Sequence, residues 1–179
     1  MNKQELLKDY KKQDDKLCLA QVLDKIEISS KKDKIEYTDF LDMYQVALVE
    51  NFLRKIQFQH FKLYGGYEEA ERKILMIYPE RYDTIMLQKN YDKILKVVRI
   101  QLPEEEKGKY SHRNYLGGIV KLGLKREKVG DILVGEEGAD IVTVNDFAEV
   151  LETQLPSLTR FENACIQIEK IQNIRNLEI

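Results

Sequence analysis

The residues with the most chemical potential lie between positions 110 and 132, in the stretch YSHRNYLGGIVKLGLKREKVGDI. His112 stands beside Arg113, and three more cations fall within residues 125–128. An imidazole can act as a general base, whereas clustered guanidinium and ammonium groups bind phosphates. The stretch therefore permits three interpretations: an active site, a phosphate loop or a surface for nucleic acid.

The two enzymatic interpretations are disfavoured. Gly118 and Gly123 have the spacing of a phosphate-loop pair, but Leu124 stands where that motif requires lysine, and no Ser or Thr follows. A histidine base needs an orienting carboxylate or a paired nucleophile, and the only neighbour of that kind, Ser111, is better placed as a helix cap. We predict no catalytic residue and no enzymatic activity.

The charge distribution favours a polyanionic partner. The whole chain has a net charge of -2, yet residues 107–128 contain seven Lys and Arg against a single Glu, a net +6. All other residues together therefore carry -8. A concentrated basic segment on an acidic protein can attract a polyanion at one place. A solvated helix face with no partner is the alternative.

The candidate RNA-binding residues fall into two groups, one in the basic segment and one beside the Gly65-Gly66 turn. They are Lys109, His112, Arg113, Lys121, Lys125, Arg126 and Lys128, and, in the second group, Arg72 and Lys73. Arg113, Gly117 and Lys121 recur every four residues, so two charges flank a glycine on the polar face of the predicted helix. Since arginine grips phosphate through two parallel hydrogen bonds, we expect Arg113 and Arg126 to contribute most.

Residues 1–90 are predicted to form a domain of helices and a β-hairpin. Apolar residues at helical spacing predict one helix around 19–26 and another around 40–48. FQHFKLY (58–64) alternates between apolar and polar residues, and KILMIYP (73–79) is an apolar run of strand length.

Residues 91–172 are predicted to form a second domain with the order β-α-β-β-α-β. Its elements are a strand at 93–103, a helix from Ser111 to Leu122, a hairpin turning at 136–138, a helix from 145 and a strand at 164–171. This order is typical of ferredoxin-like and RNA-recognition-motif folds, and it makes the chain an α+β protein. The two central strands hold no aromatic residue, so base stacking on the sheet is not expected.

Composition indicates a folded protein, since 43% of the 179 residues are hydrophobic. Cys18 and Cys165 lie far apart and are predicted to be reduced, buried thiols, with no metal or cofactor. His60 lies on the polar face of a strand without a catalytic partner and is interpreted as structural. No signal peptide and no run of about 18 apolar residues occurs, so we expect a cytoplasmic protein that does not span a membrane.

Three motifs carry a resemblance to a known family: GGYEEAERKILMIYP (65–79), the stretch 110–132, and LPSLTRFENACIQI (155–168). Their order and spacing resemble the N-terminal region of the bacterial YlmH family, also described as RqcP-type quality-control factors. The resemblance implies a ribosome-associated accessory protein that binds large-subunit rRNA and peptidyl-site tRNA during the tailing of stalled chains. It implies no catalytic residue, cofactor or small-molecule substrate.

Members of that family carry an S4 RNA-binding domain after the last strand, and residues 173–179 are expected to begin the linker to that domain, for which this sequence has no room. A fragment of a longer protein and a natural short form would both account for its absence. The family is linked to cell division as well. A protein-interaction module with a role in division is therefore the alternative function. An exposed apolar patch without salt-dependent RNA binding would distinguish it.

Overall fold

The computed structural model describes residues 2–175, which divide into two compact units. The first unit comprises the described residues up to 64 together with 71–86, and the second comprises 65–70 and the residues from 87 onward. The division at residue 90 that the sequence predicts stays a prediction. So does the linker expected at 173–179, of which residues 176–179 lie outside the described residues.

The first unit combines three helices with a small antiparallel sheet. Its elements are α1 (Lys3–Leu7), α2 (Gln13–Lys32), β1 (Glu36–Tyr37), α3 (Met43–Lys55), β2 (Phe61–Tyr64) and β3 (Ile74–Ile77). The strands have the order β1-β3-β2, so the predicted hairpin gains a two-residue strand that the sequence did not indicate. The helix expected around 40–48 begins later, because Asp42 and Gln45 form a reciprocal cap, with each backbone N–H donating to the other's side chain.

The core of the first unit lies between α2, α3 and the sheet. Leu19 and Val22 of α2 pack with Val49 and Phe52 of α3, and all four are at most 1% exposed. Leu75 of β3 belongs to the same cluster. The helical spacing of these residues places them on facing helix surfaces, as the sequence predicts for α2.

The second unit is a four-stranded antiparallel sheet with two helices inserted between its strands. It begins within α4 (Thr84–Ile94) and continues with β4 (Leu95–Gln101), α5 (His112–Lys121), β5 (Val129–Val134), β6 (Gly138–Val144), α6 (Asn145–Gln154) and β7 (Cys165–Lys170). The strand order is β5-β6-β4-β7, with β4 and β6 at the centre. This arrangement confirms the α+β class and the ferredoxin-like order. α4 was not predicted, and the strand expected from residue 93 starts at Leu95.

One face of this sheet packs against α5 and α6. Val98 and Ile100 of β4 form a cluster with Tyr115 of α5, Leu151 of α6 and Phe161, which lies in the 3-10 turn Thr159–Phe161. All five side chains are at most 1% exposed. Burial of these apolar groups fixes α5 on the sheet, and therefore sets which side of α5 faces outward.

The opposite face of β4 and β6 holds a buried ion network around Asp140. The carboxylate is fully buried and accepts hydrogen bonds from Arg99 Nε and Nη2, each at 3.0 Å. It also accepts bonds from the backbone N–H of Arg175 at 2.9 Å and from its Nη2 at 2.8 Å. Burial by itself raises the pKa of Asp140, but the hydrogen bonds from the two arginines outweigh it and hold that pKa below its usual value.

Candidate nucleic-acid interface

Helix α5 presents the predicted basic residues, and local sequence determines where it starts and stops. Ser111 is its N-cap, as predicted, and the Ser111 backbone N–H donates to Asn114 Oδ1 at 2.8 Å. Gly123, with φ of 80°, takes the left-handed conformation that follows the last turn. Tyr115 and Ile119 are buried, so the other side of the helix faces outward.

The outward side of α5 carries the predicted pattern of two charges around a glycine. Arg113, Gly117 and Lys121 are all exposed, and Lys125 is exposed just after the helix. Within residues 2–175, the side chains of these three cations make no ion pair or hydrogen bond. A Cβ added to Gly117 would meet nothing within 4 Å. We call Arg113, Lys121 and Lys125 the basic face.

Arg126 has a different environment from the basic face. Its guanidinium is half-buried, and Nη1 donates to the carbonyl oxygens of Val129 at 2.6 Å and Gly130 at 3.0 Å. These bonds close the 3-10 turn Arg126–Lys128 onto the first residues of β5. Arg126 therefore supports the local fold, a role that its charge in the sequence did not reveal.

The remaining predicted residues divide between the units. Lys109, His112 and Lys128 are exposed and belong to the second unit. His112 is the first residue of α5, Lys109 precedes the helix and Lys128 follows it. Arg72 and Lys73 belong to the first unit and are half-buried. The backbone of Lys73 bridges to Leu41 through two hydrogen bonds.

A cleft adjoins the basic face, between α5 and residues 158–161. Its volume is about 460 Å³, and its lining includes Tyr110, Gly117, Gly118, Lys121, Thr159 and Arg160. Gly118 lies on the buried side of this cleft, where an added Cβ would come within 2.8 Å of Phe161 Cε2. Packing against Phe161 therefore accounts for one of the two adjacent glycines. We call this the α5 cleft.

Arg160 is the residue of this region that sequence reasoning missed. Its guanidinium carbon lies 5.6 Å from the centre of the Tyr110 ring, and Nη1 donates weakly to the Asn114 carbonyl at 3.4 Å. The Tyr110 hydroxyl in turn donates to the Arg160 carbonyl at 3.3 Å. Arg160 is an isolated cation in the sequence, and only the approach of its turn to α5 brings it beside Lys121 in the same cleft.

His60 and the two cysteines have no predicted role in binding, and the structure shows the surroundings of each. His60 packs edge-on against Phe58 and Tyr78, with ring centres 6.2 Å and 5.8 Å away. Cys18 is buried, and this burial, followed by the charges of nearby carboxylates, raises the pKa of its thiol. The prediction for Cys165 was wrong, because this residue is exposed at the start of the edge strand β7.

Residues 2–175 contain no group of three or more His, Cys, Asp or Glu side chains that could hold a metal ion. In the same part of the chain no helix has the length and apolar character needed to cross a membrane.

The second unit is thus a ferredoxin-like domain with an exposed basic helix, and comparison with known proteins places the chain in a family. Residues 88–174 match the family model described as "Putative RNA-binding domain in YlmH", and residues 14–82 match the model "YlmH, N-terminal". The chain belongs to the YlmH family.

A relative and a solved structure are similar to most of this chain. The Bacillus subtilis (strain 168) "Ribosome-associated protein quality control protein P2" is 26% identical over 160 residues, which make up 89% of this chain. The chain spans 59% of that relative's length. The structure of "Cell division protein ylmH from Streptococcus pneumoniae" matches with a TM-score of 0.65 and 16% identity, over 93% of this chain and 98% of that one. This second likeness shows a shared fold.

Proposed function

We propose that this chain is a ribosome-associated RNA-binding protein, and that the basic face of α5 contacts RNA phosphates. The observation that carries the proposal is the exposure of Arg113, Lys121 and Lys125 without any carboxylate partner among the described residues. The match of residues 88–174 to an RNA-binding family model supports it. The name of the Bacillus relative supports the association with ribosomes.

The geometry of the basic face suits a phosphate backbone. Arg113 and Lys121 are two turns apart on one side of α5, which separates them by about 12 Å along the helix axis. Gly117 lies between them with open space above it, so a sugar-phosphate chain can approach the helix closely. Lys125 continues the charged track beyond the turn at Gly123. Contacts of this kind provide affinity with little sequence preference.

Large-subunit rRNA and tRNA are the RNAs that we propose as partners. A protein that contacts phosphates releases counterions, so its affinity falls as salt rises. Each contact contributes about 0.9 to the slope of log affinity against log salt on a duplex, and about 0.7 on a single strand. Loss of three contacts should therefore reduce the slope by about 2 to 3.

The test is a filter-binding titration of the chain against both RNAs at several salt concentrations. Combined substitution of Arg113→Ala, Lys121→Ala and Lys125→Ala should weaken binding and reduce the salt slope by that amount. Arg126 is left unchanged, because its guanidinium holds the turn before β5.

The matched control removes three exposed lysines of the first unit, Lys8, Lys11 and Lys34, and lowers the net charge equally. Weakening by the control to the same degree would mean that net charge alone governs binding, and would refute a specific role for α5. Unchanged affinity and slope in the folded basic-face variant would refute the proposal as well.

A protein-interaction module is the alternative that such a result would favour. Met43 and Tyr44 begin α3 with 66% and 54% of their surfaces exposed. Exposed apolar side chains of this size can contact a protein partner. The name of the structural neighbour from Streptococcus pneumoniae would then direct the search toward cell division.

A further inference from the structure

The glycine at position 117 is not explained by packing within the second unit. Glycine in a helix interior is unfavourable relative to alanine, so a compensating reason is expected. At Gly118 the reason is the ring of Phe161, which an added Cβ would meet at 2.8 Å. At Gly117 an added Cβ would meet nothing, and the exposed backbone forms part of the α5 cleft. The missing side chain keeps that part of the cleft open.

The walls of the cleft have the chemistry of a nucleotide site. Arg160 presents a planar guanidinium that is exposed to solvent and positioned by the Tyr110 ring and the Asn114 carbonyl. Lys121 supplies a second cation, and Thr159 supplies a hydroxyl. The lining residues that the structure describes include no carboxylate, which favours an anionic ligand. The volume of about 460 Å³ lies within the range of roughly 300–1,000 Å³ that small-molecule sites occupy.

We propose that the α5 cleft binds one unpaired nucleotide of a single-stranded RNA, an inference that rests on the proposed RNA-binding function. The base enters over Gly117 and stacks on the guanidinium plane of Arg160, while its phosphate lies toward Lys121. Proteins that select single-stranded RNA commonly stack splayed bases on aromatic rings or arginine planes. A base within a duplex is already stacked and paired, so the cleft gives preference for single strands where the basic face gives none.

Substitution of Gly117 by leucine tests the inference. An added Cβ meets nothing within 4 Å, so a longer side chain can be attached there and would take up space in the cleft. The measurement compares the affinities for a single-stranded RNA oligonucleotide and for the duplex of the same sequence, at one salt concentration. We expect Gly117→Leu to weaken single-strand binding about 5- to 150-fold, the equivalent of one lost stacked base. Duplex binding should change less than about twofold, because phosphate contacts are retained.

One control and one second test variant separate an effect on the cleft from a general effect on α5. Val120→Leu adds bulk at a position of the same helix that is 58% exposed and does not line the cleft, so it should leave both affinities unchanged. Arg160→Lys keeps the charge but removes the plane, so it should weaken single-strand binding with little change in the salt slope. If Gly117→Leu fails to fold, this second variant decides the question.

Equal weakening of single-strand and duplex binding by Gly117→Leu, or no weakening of either, would overturn the inference. Failure of the proposed function looks different, because the basic-face variant would then bind rRNA and tRNA with unchanged affinity and salt slope. The basic-face variant could lose binding to rRNA and tRNA while the Gly117→Leu variant binds the single strand and the duplex normally. That result would refute nucleotide binding in the cleft and retain phosphate binding by the basic face.

Discussion

Replacing Asp140 by alanine should destabilise the second unit by about 3 kcal/mol. The carboxylate is fully buried between the guanidinium groups of Arg99 and Arg175. Its removal leaves the two cations only longer contacts, 3.8 Å from Arg99 Nη1 to Glu169 Oε1 and 3.9 Å from Arg175 Nη1 to Glu137 Oε2. Breaking a buried ion pair from one side typically costs about 3–5 kcal/mol. Because the two arginine side chains are 16% and 25% exposed, water can reach the freed groups, and we expect the lower end of that range.

The cost should come from the loss of the buried partner of the two arginines, and a double-mutant cycle measures this. If it does, Arg99→Ala combined with Asp140→Ala should cost less than the sum of the two single changes. The free energy of unfolding is measured by urea denaturation, and hydrogen exchange of the amides in β4 and β6 assigns the change to this unit. Glu149→Ala removes a negative charge at an exposed position of α6 and should change stability by no more than about 0.5 kcal/mol.

The same network predicts a dependence on pH. Burial acts to raise the pKa of Asp140, but the arginine hydrogen bonds prevail and lower it relative to the unfolded chain, where the group titrates near pH 3.9. A lowered folded pKa means that the stabilisation is complete above the unfolded pKa and is lost as pH falls through the folded value. The stability difference between the natural protein and Asp140→Ala should therefore be constant above about pH 5 and shrink below about pH 4. A change below 1 kcal/mol at pH 7, or a difference that grows in acid, would refute the reasoning.

Two further predictions each compare two residues of the same type that have opposite surroundings. Gly118→Ala should lower the free energy of unfolding by about 1–3 kcal/mol because its Cβ would meet Phe161, whereas Gly117→Ala, with no neighbour within 4 Å, should raise it by up to about 1 kcal/mol. Thermal or urea unfolding checks both, and equal effects would contradict the packing described for α5. A thiol reagent under native conditions should modify Cys165 rapidly and Cys18 slowly, because Cys165 is exposed while burial disfavours the thiolate of Cys18. Mass spectrometry of the modified peptides reads out the order, and faster modification of Cys18 would contradict it.

Much of the fold of the second unit could be predicted, because α5 and the hairpin of β5 and β6 have local signals. Ser111 begins α5 and Gly123 follows its last turn, as the residue types indicate. Gly138 opens β6 with φ of 152°, and a Cβ there would come within 1.8 Å of the Ile100 carbonyl oxygen, so the hairpin requires glycine. α4 was not predicted, and its junction with β4 has no local signal, because Ile94 is followed at once by Leu95 and the apolar run continues from helix into strand.

The candidate site was predictable only in part, since sequence gives the charge of a residue but not its neighbours. Arg113 and Lys121 lie where helical spacing places them. Arg126 carries the same charge as Arg113, yet its guanidinium donates to two backbone carbonyls of β5. Arg160 reaches α5 from a turn almost fifty residues later in the chain, and no local pattern indicates such an approach.

Burial of one face of the sheet explains why the proposed RNA binding by this unit would use α5 and not the sheet. RNA-recognition motifs stack bases on aromatic residues of the two central strands. Here the equivalent face of β4 and β6 has Leu95, Val97 and Val142 fully buried, and Asp140 is enclosed by two arginines. A base could reach this face only by displacing apolar contacts and breaking a buried ion network, at a cost of several kcal/mol. Contact through α5 requires no such rearrangement, because its cations are already exposed and its cleft is already open.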